Sequence, residues 1–161
     1  MYLIGIDPTQ VWTSTETPPF KLGETAMDDL GNIYTFVRAD GGGVPQWYVA
    51  AIESSTYTAD QVETTTSAPG DSQGYPVGVA PAAIGASGYG WLLRNGIGSC
   101  RVAASAAKGT ILNSTATAGQ LDDDATAGSE VIDGISLLVA NGGAAGVVSA
   151  IFSWPRIGRT L

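Results

Sequence analysis

Glycine and proline break this chain so often that no window longer than about ten residues keeps a 3.6-residue apolar period. The 161 residues include 22 Gly and 8 Pro. Turn signals recur roughly every 8 to 12 residues, the spacing of short strands in a sandwich or small barrel. The spacing predicts an all-β fold, a small β-barrel or sandwich of short antiparallel strands.

The segment before residue 25 shows neither helical nor alternating periodicity, and Pro8, Pro18 and Pro19 exclude a long regular element. Residues 1–24 are therefore read as an extended N-terminal arm with Tyr2, Trp12 and Phe20 as large anchors, since disordered tails are poor in aromatics. Residues 25–161 are read as a single β-rich domain, with one short helix in "GETAMDDL". "IYTFVRA" alternates Ile33, Thr35 and Val37 with Tyr34, Phe36 and Arg38, and "DGGG" leads from it to "QWYVAAI", which suggests a hairpin. Residues 53–74 are polar and read as a long loop with an edge strand near Tyr57.

The nearly uncharged run 77–102 is expected to divide into three strands. Pro76 and Pro81 stand at the limits of the first and confine it to a sheet edge or a strand end, and Asn95-Gly96 supplies a hairpin turn between the second and third. "GTILNSTATAGQLDDD" predicts strand, turn at Ala118-Gly119, strand. "EVIDGISLLVA" places Ile132, Gly134, Ser136 and Leu138 on one face and Val131, Asp133, Ile135, Leu137 and Val139 on the other. "AGVVSAIFSWP" is the last strand, stopped by Pro155.

Charge and composition narrow the functions. Only 14% of residues are charged, against roughly 25% in soluble domains, so small neutral side chains must supply the polar surface. Such a surface suits packing against protein neighbours. Seven Lys and Arg against 15 Asp and Glu give a net charge of −8, which argues against nucleic acid as a partner. The longest apolar stretch, "GISLLVANGGAAGVVSAIF", is split by Asn141-Gly142-Gly143, so no membrane association is expected. "MYLIGIDPTQ" lacks a basic leader, and synthesis in a cytoplasm is expected. Cys100 cannot form an intrachain disulfide and reads as a small core residue.

The chain contains no histidine, which removes the commonest general base. "GDSQG" matches Gly-x-Ser-x-Gly around Ser72, but that nucleophile needs a strand-to-helix elbow and a histidine. Asp122, Asp123, Asp124 and Glu130 could offer oxygens to a hard cation, yet they keep no calcium-loop spacing and read as a solvated turn. "GASGYG" and "NGGAAG" fail as phosphate cradles, and Asn113-Ser114-Thr115 matches a glycosylation acceptor only by pattern. No catalytic residue, metal or cofactor is expected. Trp47 or Trp91, with the 53–74 loop, could instead stack on a sugar, which leaves a carbohydrate- or receptor-binding module as the alternative to a structural protein.

Taken in order, "VGVAPAAI", "GYGWLLRNG", "VAASAAKGTILNSTATAGQLDD", "IDGISLLVANGG" and "FSWP" resemble the small β-rich head proteins with which tailed bacteriophages decorate or cement their capsids. The resemblance spans about residues 75–155, with a weaker echo in "LGETAMDDLGNIYTFVRA". It implies a non-enzymatic virion protein on the capsid exterior, commonly a homotrimer, that links major capsid subunits through its arm and barrel base. On that reading the contact residues are Trp12, Pro18, Pro19 and Phe20 in the arm and Arg156 and Arg159 near the C-terminal end.

Overall fold

A computed structural model describes residues 3–64 and 72–161. Expectations that fall on Met1, Tyr2 and residues 65–71, including the first half of "GDSQG", lie outside the described residues. Those described form strands and no helix: β1 (Leu3–Ile4), β2 (Thr25–Met27), β3 (Ile33–Ala39), β4 (Val49–Ile52), β5 (Thr58–Gln61), β6 (Val77–Val79), β7 (Tyr89–Val102), β8 (Leu112–Ser114), β9 (Leu121–Asp122), β10 (Glu130–Leu137) and β11 (Gly146–Thr160). The fold is all-β, and "GETAMDDL" contains β2 rather than a helix, because Thr25, Ala26 and Met27 pair with Thr35, Tyr34 and Ile33.

One long strand organises the rest. The first half of β7 pairs antiparallel with β3, from Arg38 opposite Tyr89 to Ile33 opposite Asn95. Its second half pairs antiparallel with β11, from Asn95 opposite Ser153 to Val102 opposite Gly146. The order β3-β5-β4-β6-β7, with β7 returning to β3, closes a five-stranded barrel. The order β7-β11-β10-β8-β9 closes a second ring through the parallel pairing of Val102 with Leu121. Strand β7 is the wall common to both.

Asn95-Gly96 is therefore not a hairpin turn, and residues 77–102 hold two strands rather than three. Gly96 has a φ of +124°, and a Cβ there would collide with the Asn32 side chain. The dipeptide instead marks a bend at which β7 changes partners, held by the Ile97 N–H donating to Asn32 Oδ1 at 3.0 Å. Of the two places expected for Pro76 and Pro81, the strand end is the one found: they bound the short β6, which lies between β4 and β7 and not at an edge. The hairpin expected between β3 and β4 does not form either. Strand β5, expected at an edge, inserts between them, parallel to β3 and antiparallel to β4.

Pro155 does not end the last strand. Strand β11 runs on to Thr160 because proline, which has no N–H to give a ladder, sits in a bulge. The register passes from Ile135 opposite Phe152 to Asp133 opposite Arg156, so Gly134 faces the extra residues Ser153, Trp154 and Pro155. Gly134 takes a φ of +87°, and a Cβ on it would lie 2.7 Å from the Ser153 carbonyl oxygen. The bulge also resets the faces of β10: Ile135 and Leu137 share the buried side, but Asp133, expected on their face, is exposed, while Ile132, expected on the opposite one, is buried. The turn at Gly119 between β8 and β9 forms as the sequence suggests, with Asn113 opposite Asp122.

Two apolar clusters fill the molecule. Val37, Ala39, Ala50, Ile52, Ala59 and Leu92 belong to the smaller one, and their modest size fits a narrow five-stranded barrel. The larger cluster takes the other face of these strands and the interior of the second ring, with Trp91, Phe36, Phe152, Leu112 and Ile132. Cys100 lies within it as a core residue, its thiol pushed up to about 12 by burial.

The turn that precedes β3 is held by one carboxylate. Asp28 Oδ1 accepts from the Leu30 and Asn32 N–H groups, both at 2.9 Å, and Oδ2 accepts from Asn32 Nδ2 at 2.9 Å and the Tyr34 hydroxyl at 3.0 Å. Desolvation alone would raise its pKa, but the hydrogen bonds from Asn32, Tyr34 and Leu30 outweigh it and the net shift is downward. A depressed folded pKa stabilises the native state above the ordinary carboxylate range and is lost as pH falls through the folded value. Asp28→Ala is expected to cost roughly 2 kcal/mol at neutral pH by orphaning these donors. In urea melts, the gap to the parent should narrow below about pH 4; a gap that stays constant down to pH 2 would refute the account.

Candidate functional site

Of the contact residues expected in the arm, Trp12 and Phe20 lie against the chain's own core. Trp12 forms a bridge with Tyr89, its N–H donating to the Tyr89 carbonyl at 2.9 Å and its carbonyl accepting at 2.8 Å. The Trp12 and Phe20 rings meet edge to face at 5.6 Å; Trp12 lies 5.5 Å from Phe36, and Phe20 lies 4.9 Å from Trp91. Both are half-buried, as is Pro18, while Pro19 is exposed. Residues 3–24 are thus irregular backbone laid over the barrel, with β1 parallel to β2. Aromatic area is what pulls the segment down: burying such a side chain fully is worth about 1.5–3 kcal/mol.

Arg156 and Arg159 are exposed on β11 and line a cleft of about 910 Å³ with Asn113, Asp123, Val131 and Asp133 among its walls. The structure brings these two arginines together and sets them apart from Trp12 and Phe20, which cluster around Phe36 and Trp91.

The outward face of β7 and β11 was not anticipated from the sequence. Alternation along β11 buries Ala150 and Phe152 and turns Val147, Ser149, Ile151 and Ser153 to solvent. Across the ladder, Ile97 stands opposite Ile151, Ser99 opposite Ser149 and Arg101 opposite Val147. Ile97 is 62% exposed, Val147 46% and Ile151 44%. Isolated apolar residues on a surface need no explanation, but cross-strand partners exposed on one sheet face form a patch.

Trp154 stands beside this patch at the β11 bulge. It is 45% exposed and has a φ of +49°, a conformation that is a genuine outlier for a bulky residue. The guanidinium of buried Arg94 lies 5.6 Å from its ring, and Arg94 Nη2 donates to the Pro155 carbonyl at 3.2 Å. Desolvation draws the Arg94 pKa down to about 10. The indole is thereby presented on a fixed cationic base. Its signal in the sequence was the pairing of tryptophan with proline inside a strand, which marks a bulge as readily as a strand end.

The remaining candidates separate. Trp91 is 1% exposed, so it faces the core and offers no platform for a sugar; Trp47 is half-buried, with a φ of 65°. Ser72 donates to Glu130 Oε1 at 3.0 Å. Burial raises the Asp122 pKa, and Asp122 Oδ1 accepts from the Asp123 N–H. Among the described residues, no three His, Cys, Asp or Glu side chains converge to hold a metal ion, and no helix is long and apolar enough to cross a membrane. No protein-family model matches the chain, and no curated protein matches it.

Proposed function

We propose that the protein is a non-enzymatic virion component, a decoration or cement protein that binds the outer surface of a tailed-phage head and bridges major capsid subunits, as a homotrimer made in the host cytoplasm. The observation that carries this reading is the exposed face of β7 and β11, where Ile97, Val147 and Ile151 lie about the Ser99–Ser149 pair and Arg101, opposite Val147, is the one charged residue in these three pairs. Charge-poor cores with apolar side chains are what protein interfaces bury. The net charge of −8 supports an exterior position, away from packaged DNA. The motif run over residues 75–155 supplies the class of partner.

Binding across subunit boundaries raises the barrier to shell rupture, because each bound copy must be released or torn before neighbouring subunits separate. Heat-induced DNA release from particles with and without the protein tests this. Release at a higher temperature is expected when the protein is present; identical release curves would remove the stabilising role.

A further inference from the structure

The chain has four asparagines, and two of them precede glycine: Asn95-Gly96 and Asn141-Gly142. In such a pair the glycine nitrogen can reach the asparagine side-chain carbonyl carbon, because glycine has no Cβ to stand in the way. The two dipeptides are chemically identical, but the fold holds them differently. Asn95 lies within β7, with Ile33 opposite it on one side and Ser153 on the other, and the Asn32 side chain packs over Gly96. Turning the Gly96 nitrogen onto Asn95 would open ladders on both sides of the strand. Of the other two, Asn32 is followed by the β-branched Ile33, and Asn113 is 3% exposed in β8, paired with both β9 and β10.

Asn141-Gly142 lies in the connection between β10 and β11, where Gly142 and Gly143 are exposed. Among the described residues the Gly142 N–H donates to no backbone carbonyl. What ties the connection down is mainly the Asn141 side chain, whose Nδ2 donates to the Ala103 carbonyl at 2.6 Å and to the Ala144 carbonyl at 2.8 Å. Two backbone bonds add to it: the Asn141 N–H donates to the Ala106 carbonyl at 2.8 Å, and the Ser105 N–H donates to the Gly142 carbonyl at 2.7 Å. The amide thus staples the connection to the segment leaving β7, one residue after Val102 pairs with Leu121 to close the second ring. A few bonds on an exposed connection open more readily than a strand paired along both edges.

We propose that Asn141 is a site of spontaneous deamidation and that the reaction releases this staple. The Gly142 backbone nitrogen attacks Asn141 Cγ, and the new N–Cγ bond closes a five-membered succinimide. The side-chain nitrogen leaves as ammonia and carries off the proton that the Gly142 nitrogen gives up. Water then adds to one of the two imide carbonyls and breaks its bond to the nitrogen, which yields aspartate if the Cγ–N bond breaks and isoaspartate if the backbone bond does. Either product puts an acceptor-only carboxylate where Nδ2 donated to two carbonyls, so the Ala103 and Ala144 oxygens lose their donor and face a negative charge. Isoaspartate also lengthens the backbone by one carbon and displaces the bonds to Ala106 and Ser105. The change is irreversible and needs no reactant but water.

The test incubates the full chain at mildly alkaline pH, folded and in urea, and follows the gain of one mass unit at each asparagine by tryptic digestion and mass spectrometry. Cleavage at the arginines and lysines separates residues 95–101 from 109–156, and fragmentation of the latter separates Asn141 from Asn113. In the folded chain Asn141 is expected to convert at least tenfold faster than Asn95, Asn32 or Asn113. In urea Asn95 should rise to within threefold of Asn141, which shows that the fold and not the dipeptide makes the difference. Gly142→Ala should slow conversion at least fivefold with the melting temperature unchanged, since a Cβ there meets nothing within 4 Å. Asn141→Asp, which mimics one product, should melt at least about 3 °C below the parent, with amide shifts at residues 103–106 and 141–146. Conversion of Asn95 in the folded chain as fast as that of Asn141, no conversion of Asn141 beyond that of Asn32 and Asn113, or an Asn141→Asp variant that melts with the parent would overturn the inference.

Discussion

Deleting residues 1–22 is expected to destabilise the whole molecule by roughly 3–6 kcal/mol, and not merely to trim an appendage. The segment contributes the half-buried rings of Trp12 and Phe20, and its loss uncovers Phe36 and Trp91, both buried in the intact chain. It also removes the paired hydrogen bonds between Trp12 and Tyr89 at the start of β7. Urea unfolding followed by tryptophan fluorescence measures the loss, and Phe20→Ala alone should account for about 2 kcal/mol of it. A midpoint unchanged by the deletion would mean that the aromatic contacts add nothing in solution. The consequence for particle work is direct: a truncated chain that fails to bind capsids has first to be shown folded.

The second large effect is expected at Trp91. Trp91→Ala should cost about 3–5 kcal/mol, because it opens a cavity where Phe20 and Phe36 each pack at 4.9 Å. Trp91→Phe should cost under about 1.5 kcal/mol. Trp91 Nε1 is buried without a hydrogen-bond partner among the described residues, so phenylalanine loses area but also removes an unsatisfied donor. Thermal unfolding of the two variants checks the ordering. Equal losses would show that the indole nitrogen has a partner in solution, and a small loss for alanine would show that the aromatic cluster can collapse.

What could be read from the sequence was what depends on neighbours in the chain. Strand β3 announces itself through alternation, the β8–β9 turn through Ala118-Gly119, and the buried fate of Cys100 through its apolar surroundings. Pairings between distant segments could not be read. A glycine with positive φ serves a hairpin and an in-strand bend equally, so Asn95-Gly96 carries no information about which it will make until Asn32 arrives from the turn before β3. Pro155 is equally two-valued, ending a strand or sitting in a bulge. The exposed β7–β11 face stayed hidden for the same reason: Ile97 and Ile151 look like ordinary core residues until the register sets them side by side on the outside.

The arginines near the C-terminal end enter through the resemblance alone, and the structure lines a cleft with them. Trp12 and Phe20 were identified by aromatic content, which predicts that they anchor something but not that the anchorage is the chain's own barrel. An aromatic residue in a segment without periodicity has the same composition whether it reaches a partner or folds back.

Strand β7 carries a consequence for how the molecule comes apart. Because one continuous backbone serves as a stave in both rings, neither ring can open along that wall without stripping ladder partners from the other. Both closures join segments far apart in the chain, so the loop entropy of each is recovered only when β7 is in place. Slow assembly and all-or-none disassembly are the expected result. Tension applied to either half is passed to the other through a single covalent thread.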